Sequence, residues 1–193
     1  MDMDEDEEKS QKIQMIAFTT NENTYSPNSI ILNYTNNNSH YLIKKNKQLI
    51  AFSTVLPEQK KPTKIMIITL FDLSSEYEGI KDVNCYLIVI DLKKETTKDK
   101  YSEILTYIKT YCDISKKIYL LGIKKDDDEN IKITEDIIDE KAKESDLDCE
   151  YIELNADNSI EISNKILEIF NYCYSNTELL SKNEDDGKSC EIY

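Results

Sequence analysis

The residues best suited to chemistry lie in turns that follow short apolar segments. In chain order, these turns are Ala17–Thr24 (AFTTNENT), Phe71–Glu76 (FDLSSE), Gly122–Asp126 (GIKKD) and Glu153–Asp157 (ELNAD). The first joins a strand-like run to a helix-like one, which in α/β proteins is the usual place for a phosphate. A phosphate-cradling backbone needs glycine, because only glycine adopts the required conformations cheaply. The first glycine of this chain is Gly79, so the turn does not have the usual phosphate-binding composition.

Composition limits the class of protein. A chain of 193 residues predicts one domain, residues 12–175, between an acidic tail at 1–11 and a flexible tail at 176–193. The net charge of -14 disfavours a broad nucleic-acid-binding face, because phosphates would be repelled, and no nucleic-acid partner is expected. No apolar run approaches the roughly 18 residues of a membrane helix, and the acidic start lacks a signal-peptide pattern. A cytoplasmic protein is therefore expected.

Short apolar runs alternate with segments of helical period between the tails. The predicted strands are Ile13–Phe18, Tyr41–Ile43 with Gln48–Val55, Lys64–Leu73, Asn84–Leu92, Lys117–Ile123 and Cys149–Leu154. The predicted helices cover residues 26–34, 77–81, 98–112, 134–143 and 158–174. Ser26 followed by Pro27 predicts the N-cap and the first residue of the first helix, and Asn158 with Glu161 three residues later predicts the cap of the last helix. This order predicts an α/β fold with a doubly wound, mostly parallel, six-stranded sheet. The short Pro57–Pro62 connection predicts that Tyr41–Val55 supplies one antiparallel edge strand.

The turns at the strand ends resemble the nucleotide-binding motifs of a small GTPase of the Ras superfamily, nearest to the Rab type. The best match covers residues 64–174, where VNCYLIVIDLKKETTKDKYSEILTYIK is similar to the family's fourth strand and following helix. KKIYLLGIKKD resembles its guanine-reading strand and turn, and YIELNAD its last base-contacting loop. The resemblance implies a P-loop NTPase fold, GTP or GDP with magnesium as cofactor, and effector or regulator proteins as partners. Over residues 12–63 it rests mainly on element order.

The family's phosphate loop, G-x-x-x-x-G-K-[ST], is altered in this chain. Ala17 and Glu22 replace the glycines, Asn23 replaces the lysine, and only Thr24 fits. At about 4 Å and an effective dielectric constant of about 20, one carboxylate beside a phosphate costs about 4 kcal/mol before screening. The magnesium motif D-x-x-G keeps only its aspartate, Asp72. The resemblance therefore implies Asn23 and Thr24 as remaining nucleotide contacts, and Thr24 with Asp72 as magnesium ligands.

The hydrolytic and base-reading motifs are also changed. Glu76 stands where the family's glutamine positions the attacking water, and no threonine falls at the switch position, which reads S-H-Y-L. The guanine motif N-K-x-D becomes I-K-K-D, and S-A-K becomes N-A-D. The resemblance implies that Lys124 packs on the base, that Asp126 accepts from its N–H groups, and that Asn155 and Ala156 supply the last loop. No catalytic residue is assigned, and little or no hydrolysis is expected.

The last four residues, Cys190-Glu191-Ile192-Tyr193, have the C-a-a-X arrangement of a prenylation site. Lipidation of Cys190 would place the protein peripherally on the cytoplasmic face of a membrane. The preceding KNEDDGK sequence is acidic, so a single lipid chain would anchor weakly and reversibly. A free cysteine in the tail is the alternative.

These features favour a pseudo-GTPase, a GTPase-fold protein that binds other proteins in membrane traffic or signalling. Two alternatives stay open at the level of sequence. The first is a divergent GTPase that binds GTP and magnesium and hydrolyses slowly. The second is a doubly wound interaction module unrelated to GTPases.

Overall fold

The computed structural model describes residues 11–21, 24–37, 40–45, 48–57, 59, 62–71, 73, 83–125 and 131–184. The strands of this part of the chain are β1 (Lys12–Thr19), β2 (His40–Lys45), β3 (Leu49–Thr54), β4 (Thr63–Leu70), β5 (Cys85–Asp91), β6 (Ile118–Lys124) and β7 (Cys149–Asn155). Its helices are α1 (Pro27–Asn37), α2 (Thr97–Tyr111), α3 (Glu135–Ser145) and α4 (Ser159–Glu184).

The strands form one seven-stranded sheet in the order β2-β3-β4-β1-β5-β6-β7. β1 is parallel to β4 and β5, and β5, β6 and β7 follow in parallel register. Only β3 runs against the others, because it is antiparallel to both β2 and β4. The mostly parallel α/β fold with one antiparallel strand is confirmed.

The segment Tyr41–Val55 differs from its prediction in one respect, since it forms two strands and raises the count from six to seven. β2 takes the edge of the sheet, and the antiparallel strand β3 lies next to it. Residues 46–48 are too few for a crossover, so the two strands pair as a hairpin. The predicted pairing of 48–55 with 64–72 is present, with Thr54 opposite Thr63 and Leu49 opposite Ile68.

Helix α4 is longer than the sequence analysis predicts. It continues past Tyr174 to Glu184, so residues 176–184 are helical although they were assigned to the tail. No glycine or proline occurs between Tyr174 and Glu184, so no residue in that stretch breaks the helix. Of the helices in the described part of the chain, none combines the length and the apolar composition of a bilayer-spanning segment. Residues 1–10, 77–81 and 185–193 lie outside the described residues.

Strand β5 is the centre of the core and is buried along its whole length. Cys85, Leu87 and Val89 face the cluster formed with α1 and α4, while Tyr86 and Ile88 face the cluster formed with α2 and α3. A strand covered on both faces needs apolar residues at every position, which explains the continuous run read in the sequence.

Two of the predicted helix caps fix where the strand-end turns stop. The Ser29 amide donates to Ser26 Oγ at 3.1 Å, and Pro27 is the first residue of α1, as the sequence predicts. The Glu161 amide donates to Asn158 Oδ1 at 3.1 Å and caps α4. Both helices therefore begin at defined points beyond the carboxyl ends of β1 and β7.

Glycine 122 in β6 provides a test of the packing between β6 and β7. A Cβ atom at this position would lie 2.5 Å from Tyr151 Oη and 2.7 Å from Tyr151 Cε2. Gly122→Ala should therefore displace the Tyr151 ring and lower the free energy of unfolding by about 1–3 kcal/mol in urea titrations. The same substitution in a Tyr151→Leu background should cost less, because the shorter side chain leaves room. An equal cost in both backgrounds would contradict the proposed clash.

Candidate functional site

The carboxyl ends of β1, β5, β6 and β7 meet at one side of the sheet, called here the carboxyl edge. Thr19 is opposite Val89, Asp91 is opposite Ile123, and Lys124 is opposite Asn155. In open α/β sheets ligands bind beyond this edge. The structure therefore brings the β1–α1 turn, the end of β6 and the last loop to one edge, as the sequence analysis expects, and the end of β5 lies between the first two.

The β1–α1 turn begins later than the motif comparison predicts. Ala17, matched there to the first glycine of a phosphate loop, is fully buried inside β1 and lies opposite Thr69 and Leu87. The chain leaves the strand only after Thr19 and reaches α1 at Pro27. Strand β1 thus continues through the position where a phosphate loop would have left the sheet.

A network of side-chain hydrogen bonds closes this turn on β5. Asn21 Nδ2 donates to Asp91 Oδ2 and to Thr24 Oγ1, each at 2.7 Å. The Thr20 amide donates to the Val89 carbonyl at 3.0 Å, and the Asp91 amide donates to Thr20 Oγ1 at 3.1 Å. The hydroxyl group of Thr24, which the resemblance assigns to magnesium, accepts a hydrogen bond from within the turn.

Asp91 is the charged group at the centre of this network. It is 2% exposed, and its Oδ1 atom accepts from the Lys93 amide at 3.1 Å. A buried carboxylate is tolerated only when hydrogen bonds replace its water, and both of its oxygens have such a donor. Its charge reaches Tyr25, whose pKa is raised by burial and further by Asp91 and Asp157. Asp91 and Asp157 thus both act on Tyr25 at the end of the turn as negative charges, and either would repel a nearby phosphate.

Lys124, Asn155 and Ala156, which the resemblance assigns to the guanine base, lie together at the ends of β6 and β7, and each of them bonds to a residue of this region. Lys124 Nζ forms an ion pair with the Glu153 carboxylate. The Ala156 amide donates to the Lys124 carbonyl at 2.7 Å, and Asn155 Oδ1 accepts from the Asp157 amide at 2.9 Å. The Ala156 N–H group, which the resemblance assigns to guanine, thus has a partner within the chain.

The predicted site is only partly within the described residues. Thr24, Lys124, Asn155 and Ala156 share the carboxyl edge, whereas Asn23, Asp72, Asp126 and Cys190 lie outside the described residues. Where the structure describes the chain, no group of three or more His, Cys, Asp or Glu side chains is placed to hold a metal. The magnesium role of Thr24 with Asp72 stays a prediction.

Sequence reasoning missed Asn21 and Asp91, the two residues that organise the turn. The only available signal was an aspartate that ends an otherwise apolar run, LIVID, at residues 87–91. Its partner Asn21 is 70 positions away in the chain, and nothing in its local sequence marks the contact.

A cleft of about 270 Å³ lies between α2 and α3, away from the carboxyl edge. Its lining includes Lys109 and Lys141, which bond to the Ser145 carbonyl and to the Glu144 carboxylate. Helices that follow parallel strands run back across the sheet, so the last turns of α2 and α3 lie at the opposite edge. The cleft is therefore separate from the strand-end site.

Removal of the Asn21 side chain tests the turn network. Asn21→Ala leaves Asp91 Oδ2 without this donor, so the free energy of unfolding should fall by about 1–3 kcal/mol in urea titrations. Asn33→Ala is a matched control, because Asn33 donates only to the exposed Ser29 carbonyl at 3.3 Å. The control should change stability by less than about 0.5 kcal/mol. Equal effects of the two substitutions would contradict a special role for Asn21.

Comparison with known proteins identifies the family to which this fold belongs. A model of the Ras family matches residues 72–175, which is more than half of the chain and includes β5, β6, β7, α2 and α3. No curated protein matches the sequence. Guanine nucleotide is the ligand class that this family suggests. The matched range and the α/β architecture show that this chain is a small GTPase-fold protein and belongs to the Ras family.

Proposed function

We propose that this protein is a Rab-like pseudo-GTPase, which binds partner proteins through the Ras-family fold and holds guanine nucleotide weakly or not at all. The observation that carries the proposal is the β1–α1 turn, which the Asn21 side chain closes by joining Asp91 to Thr24. In the family, this turn gains its binding energy from amides and a lysine directed at phosphate. Here the described hydrogen-bonding groups of the turn, on Thr20, Asn21 and Thr24, engage the chain itself.

Charge supports the same proposal. Glu22 replaces a glycine and Asn23 replaces the phosphate-binding lysine, so both changes act against a polyanion. The carboxylate of Asp91 lies beside the turn, and it forms no ion pair with a basic side chain in the described part of the chain. A phosphate would therefore meet like charge there, and a repulsion of this kind counts for several kcal/mol in a poorly solvated site.

The residues that the resemblance assigns to the guanine base support the pseudo-GTPase proposal more weakly. Lys124 and Glu153 are each about one-third to two-fifths exposed, and an exposed ion pair contributes only about 0–1 kcal/mol. A guanine base could compete with that pair at little cost. The Ala156 amide is held more firmly, by a 2.7 Å bond to the Lys124 carbonyl. Any residual nucleotide contact would come from Asn23, Thr24, Lys124, Asp126, Asn155 and Ala156, with Thr24 and Asp72 on magnesium.

The partners that we propose are effector or regulator proteins of membrane traffic or signalling. They would recognise the fold itself rather than a conformation that depends on bound nucleotide. The support is the family itself together with the altered Glu76 position, which removes the water-positioning glutamine. A lipid on Cys190 would concentrate such an interaction at a membrane surface.

Nucleotide affinity is the direct test. Titration calorimetry of the purified protein with GTP and magnesium should give a dissociation constant in the micromolar range or weaker; 1 μM corresponds to about -8.2 kcal/mol. Glu22→Gly combined with Asn23→Lys should tighten binding, because it removes one negative charge and adds a cation to the turn.

A second double variant, Glu103→Gln with Asn176→Lys, changes the net charge by the same amount in α2 and α4 and should leave affinity unchanged. Nanomolar binding by the unmodified protein would overturn the pseudo-GTPase proposal and favour a slow GTPase. An equal gain in both double variants would show that only net charge matters.

Membrane association depends on lipidation of Cys190 in this proposal. Cys190→Ser should move the protein from the membrane fraction to the soluble fraction of its own cells. Cys112→Ser is the control, because it removes a cysteine within the domain and leaves the C-terminal motif intact. The mass of the C-terminal peptide reports the lipid directly. An unmodified mass, with no change in fractionation, would exclude prenylation.

A further inference from the structure

The donors around the β1–α1 turn converge on one carboxylate. Asn21 Nδ2 donates to Asp91 Oδ2 at 2.7 Å, and the Lys93 amide donates to Asp91 Oδ1 at 3.1 Å. The carboxylate is 2% exposed, and in the described part of the chain no lysine forms an ion pair with it. Within the described residues, the side chain of Asp91 is thus a buried carboxylate whose hydrogen-bond donors are neutral N–H groups. This is how a protein commonly holds a bound anion.

Turns that bind phosphate are ordered by the ligand, because the anion accepts hydrogen bonds that would otherwise be unsatisfied. The anion at this turn comes from β5 of the same chain. Asn21 links this anion to the far end of the turn, since the same amide group also donates to Thr24 Oγ1 at 2.7 Å. The Asp91 carboxylate therefore connects to the last residues before α1 through a single side chain.

We propose that Asp91 acts as an internal anion, which takes the place of a bound phosphate and holds the described ends of the β1–α1 turn, residues 20–21 and 24–25, against β5 without nucleotide. This inference rests on the proposed function, because a turn that holds GTP would not need it. Two further bonds tie the same segments, from the Thr20 amide to the Val89 carbonyl at 3.0 Å and from the Asp91 amide to Thr20 Oγ1 at 3.1 Å. They hold the backbones in place, so a small anion has a preformed space once the carboxylate is removed.

Chemical rescue distinguishes an internal anion from an ordinary buried aspartate. In the full-length, nucleotide-free protein, Asp91→Ala should lower the melting temperature by about 5–10 °C, because Asn21 loses a charged partner. Sodium formate, which has the size and charge of the deleted carboxylate, should restore at least half of that loss. Sodium chloride at the same ionic strength should not. Inorganic phosphate is a second probe, expected to act in the same direction as formate.

Two controls isolate the site. Asp99→Ala removes an exposed carboxylate from the first turn of α2, and its melting temperature should be the same in formate and in chloride. The double variant Asp91→Ala with Asn21→Ala lacks the donor as well, so formate should not rescue it. Rescue of the double variant to the same extent would overturn the inference, because the anion would then act elsewhere.

Other outcomes are equally decisive. An Asp91→Ala protein that melts like the unmodified protein, or that melts lower and recovers with neither formate nor phosphate, overturns the inference. If Asp91→Ala does not fold, Asp91→Asn keeps the shape and removes the charge. Amide exchange of Thr24 and Tyr25, which donate to the Asn21 carbonyl, should then accelerate at least tenfold, and unchanged exchange overturns the inference.

Tight GTP binding by the unmodified protein would overturn the proposed function whatever formate does, whereas absent rescue overturns only the internal anion.

Discussion

The hydrogen bond between Asp91 and Asn21 is the contact on which the arrangement of the carboxyl edge depends. Strand β5 is buried on both faces, and it ends in a carboxylate that is also buried. A charge in that position must be satisfied locally, because the transfer of an unpaired carboxylate from water into the interior is very costly. The β1–α1 turn supplies the main side-chain donor, so the position of the turn follows from the end of β5. The geometry of the candidate site is thus set by the core.

Strand β1 shows which features the sequence pattern predicts and which it does not. The apolar run predicted the strand, and the caps at Ser26 and Asn158 predicted where the following helices begin, because both signals are local. The exact end of β1 was not predictable in the same way. The motif comparison placed Ala17 at the first glycine of a loop, whereas the strand continues to Thr19 and buries Ala17 between β4 and β5. A residue with a short apolar side chain satisfies either reading until its neighbours are known.

Long-range polar contacts were the part of the site that sequence could not supply. The Asn21–Asp91 bond joins residues 70 positions apart, and the turn sequence TTNENT has several side chains that could donate. The ion pair of Lys124 with Glu153 depends on the pairing of β6 with β7, which sets the two side chains on one face. The hairpin of β2 with β3 and the extension of α4 were missed for a different reason. Both lie where local signals are weak, in a short polar connection and in a helix without a stop signal.

The carboxyl edge has two groups of polar contacts, one at the ends of β6 and β7 and one at the β1–α1 turn. They differ in strength because the first is near solvent and the second is buried. On the base side, the contact of Lys124 with Glu153 lies near solvent and is easily exchanged. On the phosphate side, the bond from Asn21 to Asp91 is buried and charge-assisted, so its loss would leave a desolvated charge behind. A ligand stabilises a fold only in proportion to its binding to the native state. A chain whose native state already engages the described polar groups of this turn, on Asn21 and Thr24, would gain little from that ligand, which is the physical basis of the proposed pseudo-GTPase.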